Sequence, residues 1–251
     1  MIVLGIETAT DQVGVALGDH RGVLASFRAT AGRRHAETVA PAIDFVCRQA
    51  QVSLDRVGVL AVDVGPGLFT GLRVGVASAK AMAQALRVPS VGLCSLDLLA
   101  FPVRHARRLI VAVVDARRGE VFRGLYRQVP GGVQRLAPPR LCRPDDLASE
   151  LEARREECLV VGDGALRHAE ILAQDARVEL ASSGLAHPSA DVLVELAHAR
   201  AVREEFVQPA ELLPLYLRKP DAAVNWEQHR HPVDSVGAES VGEASSRRGS
   251  A

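Results

Sequence analysis

Four acidic residues stand where apolar runs end, so that a strand would deliver each carboxylate to the rim of a sheet. Glu7 closes MIVLGI, Asp63 follows 57–62, Asp115 follows 109–114, and Asp163 comes just after 158–161. Thr8 extends the first of these turns, Gly65-Pro66-Gly67 the second, and Gly162 and Gly164 flank Asp163. Acids beside glycine turns can enclose a Mg-nucleotide, and free N–H groups at a helix that follows favour an anion. Thr70 is placed to cap the helix after the second turn, and Arg73 lies one turn further on. The glycine turn lacks the GxxxxGK[ST] spacing and no lysine follows it, so spacing alone also admits a plain tight connection. The sequence holds no HxxxH pair. His229 and His231 sit near a polar C-terminal stretch, and Cys, Ser and His form no local nucleophile signature. Zinc hydrolysis and metal-centred transferase chemistry therefore lack their ligands here.

The elements that must position these residues follow from the hydrophobic period. Residues 1–6, 13–17 and 23–28 read as three strands with tight turns, 34–51 as a helix, and 57–62 as another strand. A meander followed by helix and strand describes antiparallel strands joined to a parallel βαβ unit. On the first helix, Ala36, Val39, Ala40, Ile43, Val46, Cys47 and Ala50 form the expected core stripe. Thr38, Ala42 and Phe45 lie on the other side, and His35 reads as a solvated or capping residue. The helix from about residue 70 to 86 is apolar nearly all round. Leu72, Gly75, Val76, Ala79, Met82, Ala83 and Leu86 form one stripe; Val74, Ala77, Ser78, Ala81 and Ala85 form the opposite one. Such a helix needs a sheet on one side and a second layer or a partner chain on the other.

A second unit repeats the opening of the first. Residues 109–114 read as a strand ending in Asp115, 115–120 as a polar hairpin turn, and 121–126 as the return strand. A short helix at 144–153, a strand at 158–161, helices at 166–174 and 190–204, and an extended apolar segment at 212–218 complete it. The expected organisation is an N-terminal lobe, 1–105, completed by the helix at about 190–206. A smaller lobe, 106–189, follows, with 207–220 packing back and 221–251 a disordered tail rich in Ser, Gly, Glu and Arg.

Composition sets bounds on partners. The 251 residues are 48% hydrophobic with formal net charge zero, so no long-range field draws the chain to nucleic acid or an anionic membrane. Arg104, Arg107 and Arg108 read as a solvated linker. Cys47, Cys94, Cys142 and Cys158 are far apart and form no CxxC, which fits reduced thiols in a cytoplasmic protein. The N-terminus has no basic region ahead of its apolar run, and no stretch reaches membrane-spanning length.

Together, in this order, the acids and glycine loops at Glu7, Asp63, Asp115 and Gly162–Gly164 favour the duplicated actin and sugar-kinase architecture, an α/β fold of two lobes of mixed sheet flanked by helices. The segments IETAT, HAETVAPAI, GPGLFTGLRVGVASAKAMA, DARRGEVF, VVGDGA and LPLYLR resemble, in succession over residues 1–220, the TsaB (YeaZ-type) family. That resemblance implies an actin-like (ribonuclease H-like) fold. It also implies a non-catalytic, dimer-forming subunit of the bacterial system that makes threonylcarbamoyladenosine in tRNA. Implied partners are the TsaD paralogue, which transfers the threonylcarbamoyl group, and the ATPase TsaE, with a homodimer as a further form and tRNA met only through the complex. No cofactor of its own is implied, ATP and metal being expected on the partners. The resemblance implies contact through the helix pair 34–51 and 70–86, and the outward positions read from the helical period give Thr38, Ala42, Phe45, Val74, Ala77, Ser78, Ala81 and Ala85 as the expected interface. Glu7, Thr8, Asp63, Gly65, Gly67, Thr70, Arg73, Asp115, Gly162, Asp163 and Gly164 would line a vestigial nucleotide cleft. The alternative from the same residues is a small-molecule kinase or ATPase of this fold, and a glycoprotease-like hydrolase is the weaker one.

Overall fold

The apolar runs fold as two sheets built on one plan. The computed structural model of the chain describes residues 1–30, 32 and 34–218. β1 (Ile2–Glu7), β2 (Gln12–Asp19) and β3 (Gly22–Thr30) form the meander and α1 (His35–Ala50) crosses back. β4 (Val57–Gly65), α2 (Phe69–Leu86) and β5 (Ser90–Cys94) then make the parallel unit, giving the order β3-β2-β1-β4-β5. After α3 (Ser95–Ala100), β6 (Leu109–Arg117), β7 (Glu120–Val129) and β8 (Gly132–Arg135) form a second meander. β9 (Arg140–Cys142), α4 (Pro144–Arg154), β10 (Cys158–Val161), α5 (Asp163–Arg167), α6 (Ala169–Leu172) and β11 (Val178–Leu180) follow. The second sheet runs β11-β10-β6-β7-β8, with β9 paired to β7. Each half thus repeats third, second, first, fourth, fifth strand. This is the duplicated actin-like fold expected from the sequence, and both sheets belong to one compact unit, Met1–Arg218.

The halves are interlocked by their last helices. α1 and α2 cover one face of the first sheet, burying Val39, Val46, Val76 and Ala79 on Leu4, Ile6, Leu60 and Val62. The opposite face, with Val3, Val59 and Ala61, is covered by Leu193, Val194 and Ala197 of α7 (Ala190–Val202), which follows the second sheet. Conversely, α3 follows the first sheet and packs Leu96 and Leu99 onto Ile110, Ala112 and Val114 of the second. Each fully buried Leu or Val contributes about 1.5–3 kcal/mol, so the exchange ties the two halves through apolar contact. Beyond α7 the chain runs back along the first sheet. Val207 bridges Ser90, Leu212 enters the core, and the Leu215 N–H donates to Val64 O.

Several local expectations are revised. The helix expected at 166–174 starts at Asp163 and breaks at His168 into α5 and α6. The short strands β8, β9 and β11 form where only turns and loops were expected. Leu68, not Thr70, is the N-cap of α2, and no side chain caps it. On α1 the buried stripe is His35, Val39, Ala42, Ile43, Val46 and Cys47, while Ala36 and Ala40 are exposed. All four cysteines are free thiols, with Cys142 half-buried and the others buried. The tail at 221–251 and the end of the returning segment, 219–220, lie outside the described residues.

Candidate functional site

The strand ends meet in a cleft between the sheets, and glycine is what lets them meet. A Cβ on Gly67 would overlap Ala9 O, one on Gly71 would overlap Thr8 O, and one on Gly75 would overlap Thr8 Oγ1. α2 is therefore pressed onto the turn after β1, where the Thr8 hydroxyl donates to Gly71 O at 2.8 Å and the Leu68 N–H to Ala9 O at 2.7 Å. The second half repeats the arrangement, since a Cβ on Gly162 would overlap Val113 O and one on Gly164 would sit 2.9 Å from Asp115 N. Glycine at these positions thus lets each loop lie directly on the strand end of its own half.

The acids divide into two groups. Asp115 is held by cations of its own half, with Oδ2 3.1 Å from Arg117 and 3.3 Å from Arg167. Arg117 also reaches across to Asp11 on the turn after β1, at 2.5 Å. Arg218 braces the same hairpin by donating to Ala116 O and Arg117 O and pairing with Glu120. Asp163 accepts the Asp115 N–H at 3.0 Å, and burial pushes its carboxyl up from the usual range. Glu7 and Asp63 are fully buried. Burial pushes Asp63 up to about 7, against the lowering effect of the Ser95 hydroxyl and Gly65 N–H bonds. Burial first, and then the charge of Asp63, raises Glu7 well above the carboxylate range. No group of three or more His, Cys, Asp or Glu side chains is arranged to hold a metal ion among the described residues.

Arg73 turns away from the acids, and Thr70 lies at the edge of the cleft beside Asp11 and Arg117. The Arg73 guanidinium stacks 3.8 Å over the Phe69 ring, and its Nε donates to the Tyr216 hydroxyl at 3.1 Å. Phe69 and Tyr216 are themselves 5.2 Å apart between ring centroids. Thr70 is exposed beside a groove of about 760 Å³ that Asp11, His35, Phe69 and Arg117 also line. His35 is buried, with Nε2 2.7 Å from Thr10 O. Its burial, the Arg117–Asp11 contact and the Phe69–Tyr216 pair join residues far apart in sequence, and no local pattern announces them.

The outer face of the helix pair is the other candidate region. Ala77, Ala81 and Ala85 are exposed in a row along α2, while Val74 and Ser78 are half-buried. Phe45 is 39% exposed and rests edge-on against Phe27, with centroids 6.0 Å apart. Thr38 is half-buried and its hydroxyl donates to Arg34 O. Ala42 is 2% exposed and belongs to the core, which corrects its expected place on the outer side. It lies three residues after Val39 and four before Val46, inside the buried stripe. Between the helices, Ile43, Cys47, Leu54 and Met82 line an open groove of about 490 Å³.

Comparison with known proteins agrees with the fold and the motifs. The family model described as TsaD, tRNA N6-adenosine threonylcarbamoyltransferase, matches residues 28–226. The tRNA threonylcarbamoyladenosine biosynthesis protein TsaB of Bacillus subtilis is 28% identical over 230 residues, covering 90% of this chain and 98% of its own. An uncharacterized protein of Mycobacterium bovis is 32% identical over 222 residues, covering 88% and 93%. The solved structure of YeaZ from Pseudomonas aeruginosa superposes with a TM-score of 0.75 at 28% identity, covering 86% of this chain and 99% of that one. With one family model along most of its length and relatives matched nearly end to end, the chain belongs to the TsaB (YeaZ-type) family.

Proposed function

We propose that this chain is a non-catalytic subunit of the cytoplasmic system that forms N6-threonylcarbamoyladenosine next to the anticodon, in tRNAs reading codons that begin with A. In this reading it pairs with a TsaD-type transferase through the outer face of α1 and α2, and the pair recruits a TsaE-type ATPase. The relatives named as threonylcarbamoyladenosine biosynthesis proteins support the pathway. The observation that carries the pairing is the exposed row Ala77, Ala81 and Ala85 beside Phe45. Small residues let a second helix layer approach closely, and a large exposed aromatic supplies an anchor. A catalytically silent role is supported by Asp115 being held between two arginines; ATP and metal then belong to the partner subunits. No helix among the described residues is long and apolar enough to cross a membrane.

Depleting the chain from its own cells and measuring nucleosides of bulk tRNA tests this reading. Threonylcarbamoyladenosine should fall and return on re-expression; an unchanged level would overturn the assignment. Isothermal titration with ATP and Mg²⁺ should give no turnover-coupled binding. Micromolar binding with turnover would make the chain an enzyme of this fold.

A further inference from the structure

Glu7 and Asp63 stand side by side, because β1 and β4 pair in parallel with Ile6 opposite Val62. They share the parity of Val3 and Ala61, which face α7, so both carboxyls point to the inner side of the sheet. Each uses one oxygen. Glu7 Oε1 accepts the Ala9 N–H at 2.7 Å; Asp63 Oδ1 accepts the Gly65 N–H at 2.7 Å and the Ser95 hydroxyl at 2.6 Å. Glu7 Oε2 and Asp63 Oδ2 are buried with no partner. Two neighbouring carboxylates in a dry site cannot both hold their charge, and protonation turns one unmet acceptor into a donor. We infer that Glu7 and Asp63 form a buried proton site that keeps at least one proton at neutral pH and makes the cleft floor a pH-sensitive element of the fold.

The surrounding charges favour the proton. From α5, Asp163 acts on Glu7 as a further negative group, and His187 faces Asp163 rather than the pair. From α3, Asp97 acts on Asp63. α7 abuts Gly14 beside Glu7 through the apolar Ala190, and Asp191 in its first turn is exposed. The cations of the cleft are engaged elsewhere, Arg117 with Asp11 and Asp115, and Arg167 with Asp115. Both carboxyls are raised in the folded chain relative to an unfolded value of about 4. Their protonated forms therefore add stability in full below about pH 4. For Asp63 that contribution is lost as pH rises through about 7, and for Glu7 it is lost through its own raised value.

Infrared spectroscopy of the full chain in D₂O tests the site. The C=O stretch of a protonated carboxyl should persist at about pH 6, where ordinary carboxylic acids are ionised, and fade as pH is raised further. In Glu7→Gln/Asp63→Asn the band should be absent, and the fall of the urea midpoint between pH 5 and pH 8 should flatten. No protonated carboxyl in the wild type at about pH 6 overturns the proposal, and if the double variant does not fold, Glu7→Gln and Asp63→Asn singly decide: the band must weaken or shift in at least one of them, while Asp163→Asn must leave it in place. A band that survives unchanged in the folded double variant assigns the proton to another group such as Asp163, and overturns it equally.

Discussion

Replacing Gly75 by alanine adds one methyl group at a crowded point between α2 and the turn after β1. The new Cβ overlaps Thr8 Oγ1, while Thr8 Cβ at 3.5 Å and Val62 Cγ2 at 3.6 Å are ordinary contacts. The hydroxyl must turn away, and its buried bond to Gly71 O is lost. Overpacking costs about 1–3 kcal/mol and an unmet buried acceptor another ~1–3 kcal/mol. The better helix propensity of alanine offsets roughly 1 kcal/mol. The net loss is about 3 kcal/mol, which for a chain of this size lowers Tm by roughly 6–12 °C. Removing the obstacle should remove the cost: in a Thr8→Ala background, Gly75→Ala should be close to neutral, giving a coupling of about 2 kcal/mol or more in a double-mutant cycle. Urea denaturation of the four proteins measures it. Equal destabilisation in both backgrounds would show that Thr8 is not what Gly75 makes room for.

Two further substitutions separate buried from exposed positions. Ala42→Glu should unfold or precipitate the chain, since it buries an unpaired charge at a cost of about 3–5 kcal/mol. Ala40→Glu, on the exposed side of the same helix, should stay within about 0.5 kcal/mol of wild type by thermal melts. On the second sheet, buried Arg123 donates to Glu150 Oε2 at 2.8 Å and leaves Nε and Nη1 unmet. Glu150→Gln should therefore cost about 3 kcal/mol in urea midpoint measurements, whereas Arg123→Met should be neutral or stabilising.

Long periodic segments were legible in the sequence, and short or non-local features were not. α2 is readable because eighteen residues repeat the helical period: Leu72, Gly75, Val76, Ala79 and Ala83 of the expected stripe are buried, Met82 and Leu86 are half-buried, and Gly71 joins the buried side. α1 was readable as an element, but alanine carries little directional signal. The helical period puts Ala36 and Ala40 inward and Ala42 outward, and the structure reverses all three. β11 is three residues long, too short for alternation to register, and it forms because β10 offers a parallel edge. The acids at the strand ends were visible as candidates. Their inequality was not: Asp115 meets two arginines, whereas Glu7 and Asp63 accept only from neutral donors and have further acids, Asp163 and Asp97, nearby, and this depends on packing between halves. His35 looked like a surface residue because nothing nearby in sequence supplies Thr10 O or the backbone of α2.

Pairing through the outer face of α1 and α2 is tested most directly by light scattering coupled to size exclusion. The chain would be mixed with the purified TsaD-type transferase of the same cell, as wild type and as Ala81→Glu. Ala81 is exposed, so the variant should remain folded and soluble with an unchanged melting curve. A charge desolvated without a partner in the middle of the helix layer should weaken association by several kcal/mol. The prediction is one heterodimer peak for wild type and two separate monomer-sized species for Ala81→Glu. A folded Ala81→Glu that elutes with the transferase as wild type does would place the interface elsewhere.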